Sequence, residues 1–231
     1  MKEPLVIMES FARERDHASY RFAGLVEVIE ARTPVEILPA LRRVEAAVSA
    51  GRHAAGFISY EAAPGLNPDL TALPPGDLPI LWFGIFQKRL TLSSSPPAGP
   101  LPATSYRADG WQSSLSPDEY AAKVEKVREY IAAGDTYQVN LTMRRTFAFD
   151  GDPYLFYRDL CRSQRAPFCA YLELERFRIL SASPELFFRL CDGTLTTRPM
   201  KGTAPRGRWH DEDVVIKRRL REDPKERAEN L

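Results

Sequence analysis

The chain has 231 residues, 44% of them apolar and 27% charged, with 32 basic and 31 acidic side chains and a formal net charge of +1. At roughly 150 residues per domain this allows one or two domains with a sizeable core, and the composition excludes disorder as the dominant state. The balanced charge offers no overall field for nucleic acid or anionic lipid, so a partner has to be recognised locally, and neither nucleic acid nor a membrane is expected. The strongest apolar run, 78–86, is interrupted by Pro79 and falls far short of the ~18 to 20 residues that span a bilayer. Met1-Lys2-Glu3-Pro4 is not the start of a secretory signal. Cys161, Cys169 and Cys191 are odd in number and lack CxxC spacing, which suits free thiols in a reducing cytoplasm. His17, His53 and His210 are scattered, so no metal held by His or Cys is expected.

In chain order, Ile37, Leu41, Val44 and Val48 fall on one helical face, and Gly51 supplies the stop. Short apolar runs at 54–59 and 80–86 read as strands. The segment 93–102 has four prolines in ten residues and no apolar period, so it reads as an extended linker. It divides the chain into an N-terminal region, 1–105, ending in the Pro/Ser-rich stretch 93–105, and a second region, 106–231. Ser116-Pro117-Asp118-Glu119 predicts a helix start with a capping box, Tyr120, Val124, Val127 and Ile131 form its apolar stripe, and Gly134 takes its left-handed end. The period then changes to two, with Tyr137, Val139, Leu141 and Met143 opposite Gln138, Asn140, Thr142 and Arg144, which predicts a strand with one polar face. Asp152-Pro153 opens a helix to about Gln164, followed by strand-like runs at 168–174, 177–181, 186–190 and 194–198. The class is α+β with mainly antiparallel strands. Asp223-Pro224-Lys225-Glu226 starts another helix, but only a few residues follow before Leu231. A free helix needs ~12 to 15 residues even to be marginal, so the chain is expected to be cut within an element.

Three sites stand out for chemistry. Arg198-Pro199-Met200-Lys201-Gly202-Thr203-Ala204-Pro205-Arg206-Gly207 is, on composition, a basic surface loop; it also offers close backbone approach at glycine, a hydroxyl, and a lysine between two arginines, which suits an anionic ligand. Cations beside a lysine lower its pKa toward the neutral, nucleophilic amine. Ser183-Pro184-Glu185 places a carboxylate between two apolar strands. It reads as a solvated turn residue or, in a pocket, as a general acid whose pKa is raised by desolvation. Gln138 reads from the pattern as an exposed polar strand residue. The tract Lys217-Arg218-Arg219-Leu220-Arg221 is surrounded by acids and reads as the solvated face of a helix rather than a nucleic-acid site.

Together, Gly134-Asp135-Thr136-Tyr137-Gln138-Val139-Asn140-Leu141, Ser181-Ala182-Ser183-Pro184-Glu185, Arg198-Pro199-Met200-Lys201-Gly202-Thr203 and Arg227-Ala228-Glu229-Asn230 resemble, in order and spacing, the chorismate-utilising enzymes. That family includes the large subunits of anthranilate and aminodeoxychorismate synthases and the isochorismate and salicylate synthases. A weaker resemblance runs through 56–64 and 82–86. It implies an anthranilate synthase component I-like two-sheet β-sandwich with flanking helices, its C-terminal part lying beyond this chain. The family's members that add water to chorismate resemble one another in a lysine where this chain has Gln138, and anthranilate synthases typically have alanine where it has Lys201. The resemblance therefore implies conversion of chorismate to 4-amino-4-deoxychorismate, for para-aminobenzoate and folate synthesis. Anthranilate formation, or a non-catalytic chorismate-binding or docking fragment, are the alternatives. By the same resemblance Lys201 is the nucleophile, Glu185 the general acid, Gly202 and Thr203 substrate contacts and Glu229 a ligand of Mg²⁺. Ammonia would come from a glutamine amidotransferase partner, since nothing in the chain resembles a glutaminase.

Overall fold

A computed structural model of the chain describes residues 3–11, 18–92, 106–200 and 202–228. The linker 93–105, Lys201 and Glu229 lie outside the described residues. The N-terminal half contributes β1 (Leu5–Glu9), β2 (Ser19–Ala31), α1 (Ile37–Ser49), β3 (His53–Ile58), the single turn α2 (Ala63–Leu66) and β4 (Leu81–Leu92). Then come β5 (Tyr106–Ser113), α3 (Pro117–Ala133), β6 (Arg145–Gly151) and α4 (Pro153–Gln164). The last part holds β7 (Phe168–Glu173), β8 (Arg178–Ser183), β9 (Leu186–Cys191), β10 (Thr194–Arg198), α5 (His210–Glu222) and α6 (Pro224–Ala228). The class is α+β, and the described strand pairs are antiparallel.

The chain forms two compact units, Met1–Pro96 with Leu160–Leu231, and Pro97–Asp159. They differ from the division at the linker into 1–105 and 106–231, because strands from both sides of it share one sheet. That six-stranded sheet has the order β3-β4-β2-β1-β7-β8. Val6 of β1 faces Phe22 of β2 on one side and Leu172 of β7 on the other. In β4, Leu81, Trp82, Ile85 and Phe86 are all buried, so the strand is apolar on both faces. Leu81 and Ile85 join Ile29, Ala31, Ile37 and Ala40 under α1. Trp82 and Phe86 point the other way, to Val6, Phe22 and Leu172. Phe86 is fully buried, a contribution of roughly 1.5–3 kcal/mol for such a side chain.

α1 begins where the periodicity places it. Glu36 just before it accepts the Arg32 and Thr33 backbone N–H groups at 2.8 and 2.9 Å, which hold its carboxyl below its ordinary range. β1 and β2 are strands that the apolar pattern does not announce. β2 carries Glu27 and Glu30, and its register against β4 shifts between Leu25 and Glu27, so a strict alternation is broken.

In the second unit α3 starts and stops as read. Ser116 Oγ accepts from Glu119 N at 3.2 Å, Glu119 accepts from Ser116 N at 2.8 Å, and Gly134 closes the helix at φ 84°. β5 and β6 pair beneath an aromatic cluster in which the Trp111 and Phe147 ring centroids lie 4.0 Å apart and those of Tyr106 and Phe156 5.2 Å. The expected strand at 137–143 is not one; the ladder starts at Arg145. The Thr136 hydroxyl donates to the Gln138 carbonyl at 3.0 Å and accepts its N–H at 3.4 Å, a local alternative to cross-strand bonding. Alternation marks a strand only where a neighbouring strand takes up the backbone groups, and no described strand lies beside this one.

Candidate active site

Strand geometry brings two of the motifs together. β9 and β10 form a tight hairpin through Asp192 and Gly193, both with positive φ, as a two-residue turn requires. The pairing ends with Arg198 opposite Leu186, so the loop leaving β10 passes the turn that joins β8 to β9. That turn is fixed by Ser183, whose Oγ accepts the Glu185 N–H and donates to the Glu185 carbonyl, each at 3.2 Å. Glu185 then accepts the Met200 N–H at 3.4 Å, a long bond across 15 residues of sequence. Ser183, Glu185, Leu186, Phe187, Thr197 and Pro199 line a cleft of about 440 Å³. Glu185 lines that cleft but is exposed, as the turn reading holds, rather than enclosed as the desolvated-acid reading requires. A larger cleft of about 790 Å³, over Leu25, Val28, Trp82, Leu174 and Phe177, contains no residue of the four motifs.

Beyond Lys201 the loop is held by acids. Arg206 donates to both oxygens of Asp213, Nε at 2.7 Å and Nη2 at 2.6 Å, and the Gly207 N–H donates to the same carboxylate at 2.9 Å. The pair pushes Arg206 up and holds the Asp213 carboxyl below its ordinary 3.8, chiefly through these bonds. Arg206 is thus paired with Asp213, and Arg198 is exposed at the end of β10. Arg208 donates to Glu212 from its backbone at 2.7 Å and its Nε at 3.3 Å, so the acids of α5's first turn anchor the loop before it.

Gly202 is half-buried, and a methyl group on it would overlap the Glu226 carboxyl of α6. Thr203 is exposed on the same loop. Gln138 is exposed in the other compact unit and donates to Asn140 Oδ1 at 3.4 Å. Lys217, Arg218, Arg219 and Arg221 are exposed on α5, the solvated face expected of them. Sequence reasoning missed Asp213, an acid in the first turn of a helix whose partners Gly207 and Arg206 lie six and seven residues before it.

No group of three or more His, Cys, Asp or Glu side chains able to hold a metal ion occurs among the described residues. No described helix is long and apolar enough to cross a membrane. Cys161 and Cys169 are buried and interact, whereas Cys191 is exposed.

The chain is similar to several known proteins. Aminodeoxychorismate synthase component 1 of Klebsiella aerogenes is 41% identical over 132 residues, 57% of this chain and 29% of that protein. Its counterpart from Escherichia coli (strain K12) is 44% identical over 122 residues, 52% of this chain and 27% of that protein. Anthranilate synthase component 1 of Aquifex aeolicus (strain VF5) is 40% identical over 121 residues, 52% of this chain and 24% of that protein. The matched part thus spans less than a third of these relatives. The crystal structure of anthranilate synthase component I from Streptococcus pneumoniae TIGR4 superposes with a TM-score of 0.67 at 19% identity, covering 94% of this chain and 59% of that one, and shows the shared fold. The family model described as chorismate binding enzyme matches residues 6–231, and the chain accordingly belongs to the chorismate binding enzyme family.

Proposed function

We propose that this chain is the catalytic part of an aminodeoxychorismate synthase large subunit, converting chorismate and ammonia to 4-amino-4-deoxychorismate. The observation that carries this is the Glu185 carboxylate bonded to the backbone of Met200, the residue before Lys201. A proton donor and the segment bearing an amine nucleophile thus meet at one cleft, the pairing that displacement of a ring hydroxyl needs. Neutral Lys201 attacks C2 of chorismate and forms an N–C bond, the ring double bonds shift, and the C4–O bond breaks. Glu185 gives its proton to the departing oxygen, which leaves as water. Ammonia then attacks C4, the double bonds shift back, the C2–N bond to Lys201 breaks, and Glu185 recovers a proton from the added ammonia. Gly202 and Thr203 would line the substrate's path.

Glutamine amidotransferase is the partner that would supply ammonia. Mg²⁺ is the cation implied for Glu229; the described residues alone do not make a site for it, and no step above is routed through it. The presence of Lys201, where anthranilate synthases typically have alanine, favours the aminodeoxychorismate product. The test is product identity. A chain extended through the rest of the family's length, given chorismate and an ammonium salt, should form aminodeoxychorismate by liquid chromatography and mass spectrometry. Fluorescent anthranilate as the main product would refute the assignment.

A further inference from the structure

Acids and bases are not matched evenly along α5 and α6. At the start of α5, Glu212 takes Arg208 and Asp213 takes Arg206, both from the loop before the helix. At its end, Asp223 accepts the Lys225 and Glu226 N–H groups at 2.9 and 3.2 Å and so caps α6. Between these acids, Val214, Lys217, Arg218 and Arg221 recur at i, i+3, i+4 and i+7, along one face of α5. With Glu222 and Arg227 of α6 they line a groove of about 740 Å³. Four cations thus share it with one carboxylate, and none of the four forms an ion pair among the described residues.

Helix stability does not account for this row. Arg221, in the last turn, is favoured by the C-terminal end of the helix dipole, but Lys217 and Arg218 lie before that turn. Each of the two also sits one turn from Arg221, where like charges repel. A counter-charge from outside the chain relieves that repulsion. Three arginine forks and a lysine suit phosphate oxygens. Their excess over the single Glu222 carboxylate matches the charge of a diphosphate better than that of a dicarboxylate. The groove's volume is within the ~300–1,000 Å³ of small-molecule sites. We propose that the α5–α6 groove binds a small molecule carrying a diphosphate or two neighbouring phosphate groups. It shares no lining residue with the cleft at Glu185, and the proposal does not depend on the reaction assigned there.

Isothermal titration of the 231-residue chain with inorganic pyrophosphate tests this, in a buffer free of divalent cations. At ~0.15 M salt, exposed charges more than about 8 Å apart are largely screened, so diffuse attraction should not register. Pyrophosphate should bind saturably, one per chain, and succinate markedly more weakly. Lys217→Gln, Arg218→Gln and Arg221→Gln should each weaken pyrophosphate about tenfold, the low end for a hydrogen bond to a charged group. Arg219→Gln removes the same charge from the same helix outside the groove, and should leave binding within about twofold. Glutamine is a good helix former, so all four variants should keep the parent's circular dichroism. Absence of saturable binding, or an equal loss in Arg219→Gln, would overturn the site. Succinate binding as tightly as pyrophosphate would overturn the phosphate assignment.

Discussion

Replacing Glu185 by glutamine separates its two possible contributions. The side chain keeps an acceptor oxygen for the Met200 N–H, so the β8–β9 turn and the start of the loop should hold their places, while the ionisable proton is gone. Even complete loss of that bond has a bounded effect. It is long, at 3.4 Å, and exposed, and a typical hydrogen bond contributes about 0.5–1.5 kcal/mol. At about 1.4 kcal/mol per factor of ten, that corresponds to roughly two- to twelve-fold in rate. Loss of a general acid typically costs ~10²- to 10⁴-fold, or about 3–5 kcal/mol. The two mechanisms therefore predict ranges that hardly overlap. The assay is kcat and KM of the extended chain with ammonia at neutral pH, for the parent and for Glu185→Gln. A kcat lowered a hundredfold or more with KM nearly constant fits proton donation in the transition state. A rate within a few-fold of the parent would refute it and leave Glu185 a solvated turn residue.

Lys201→Ala should abolish aminodeoxychorismate formation while chorismate still binds, as read by equilibrium dialysis; full turnover with ammonia would remove the covalent role. Cys191 should react rapidly with a disulfide reagent in the native protein and Cys161 and Cys169 only after denaturation, because the latter two are buried and the hydrogen bond with Cys161, together with burial, pushes the Cys169 thiol up. Three rapidly reacting thiols in the native state would contradict that packing. The Asp213 carboxyl, held down by Arg206, should titrate below 3.8 by carboxyl NMR. Because its folded-state pKa is depressed, its contribution to stability is present above the ordinary aspartate range and is lost as pH falls through the folded value. A midpoint at or above 3.8 would contradict the bidentate pair.

What could be read from the sequence was punctuation and local period. Ser116, Pro117 and Glu119 at one end of α3 and Gly134 at the other define that helix without tertiary help, and α1 follows from its stripe. The runs that became β7 to β10 were legible because they are short, apolar and bounded by turns. Residues 137–143 alternate as well as any of them, yet Thr136 bonds the backbone locally and no described strand lies alongside. β2, with its shifted register and two acids, is a strand because β1 and β4 flank it. The same limit applies at the site. Glu185 sits in a recognisable motif, but its link to Met200 depends on the β9–β10 hairpin register. Asp213 looks like an ordinary helix-start acid until folding sets it on Arg206.

The central claim is that Lys201 bonds covalently to chorismate, and intact-mass spectrometry with peptide mapping tests it most directly. With ammonia withheld, the extended chain incubated with chorismate should gain the mass of chorismate less one water, on the peptide containing Lys201. Adding ammonia should discharge that mass as aminodeoxychorismate. Turnover that proceeds with no adduct on Lys201, under conditions where a trapped intermediate would accumulate, would contradict the account.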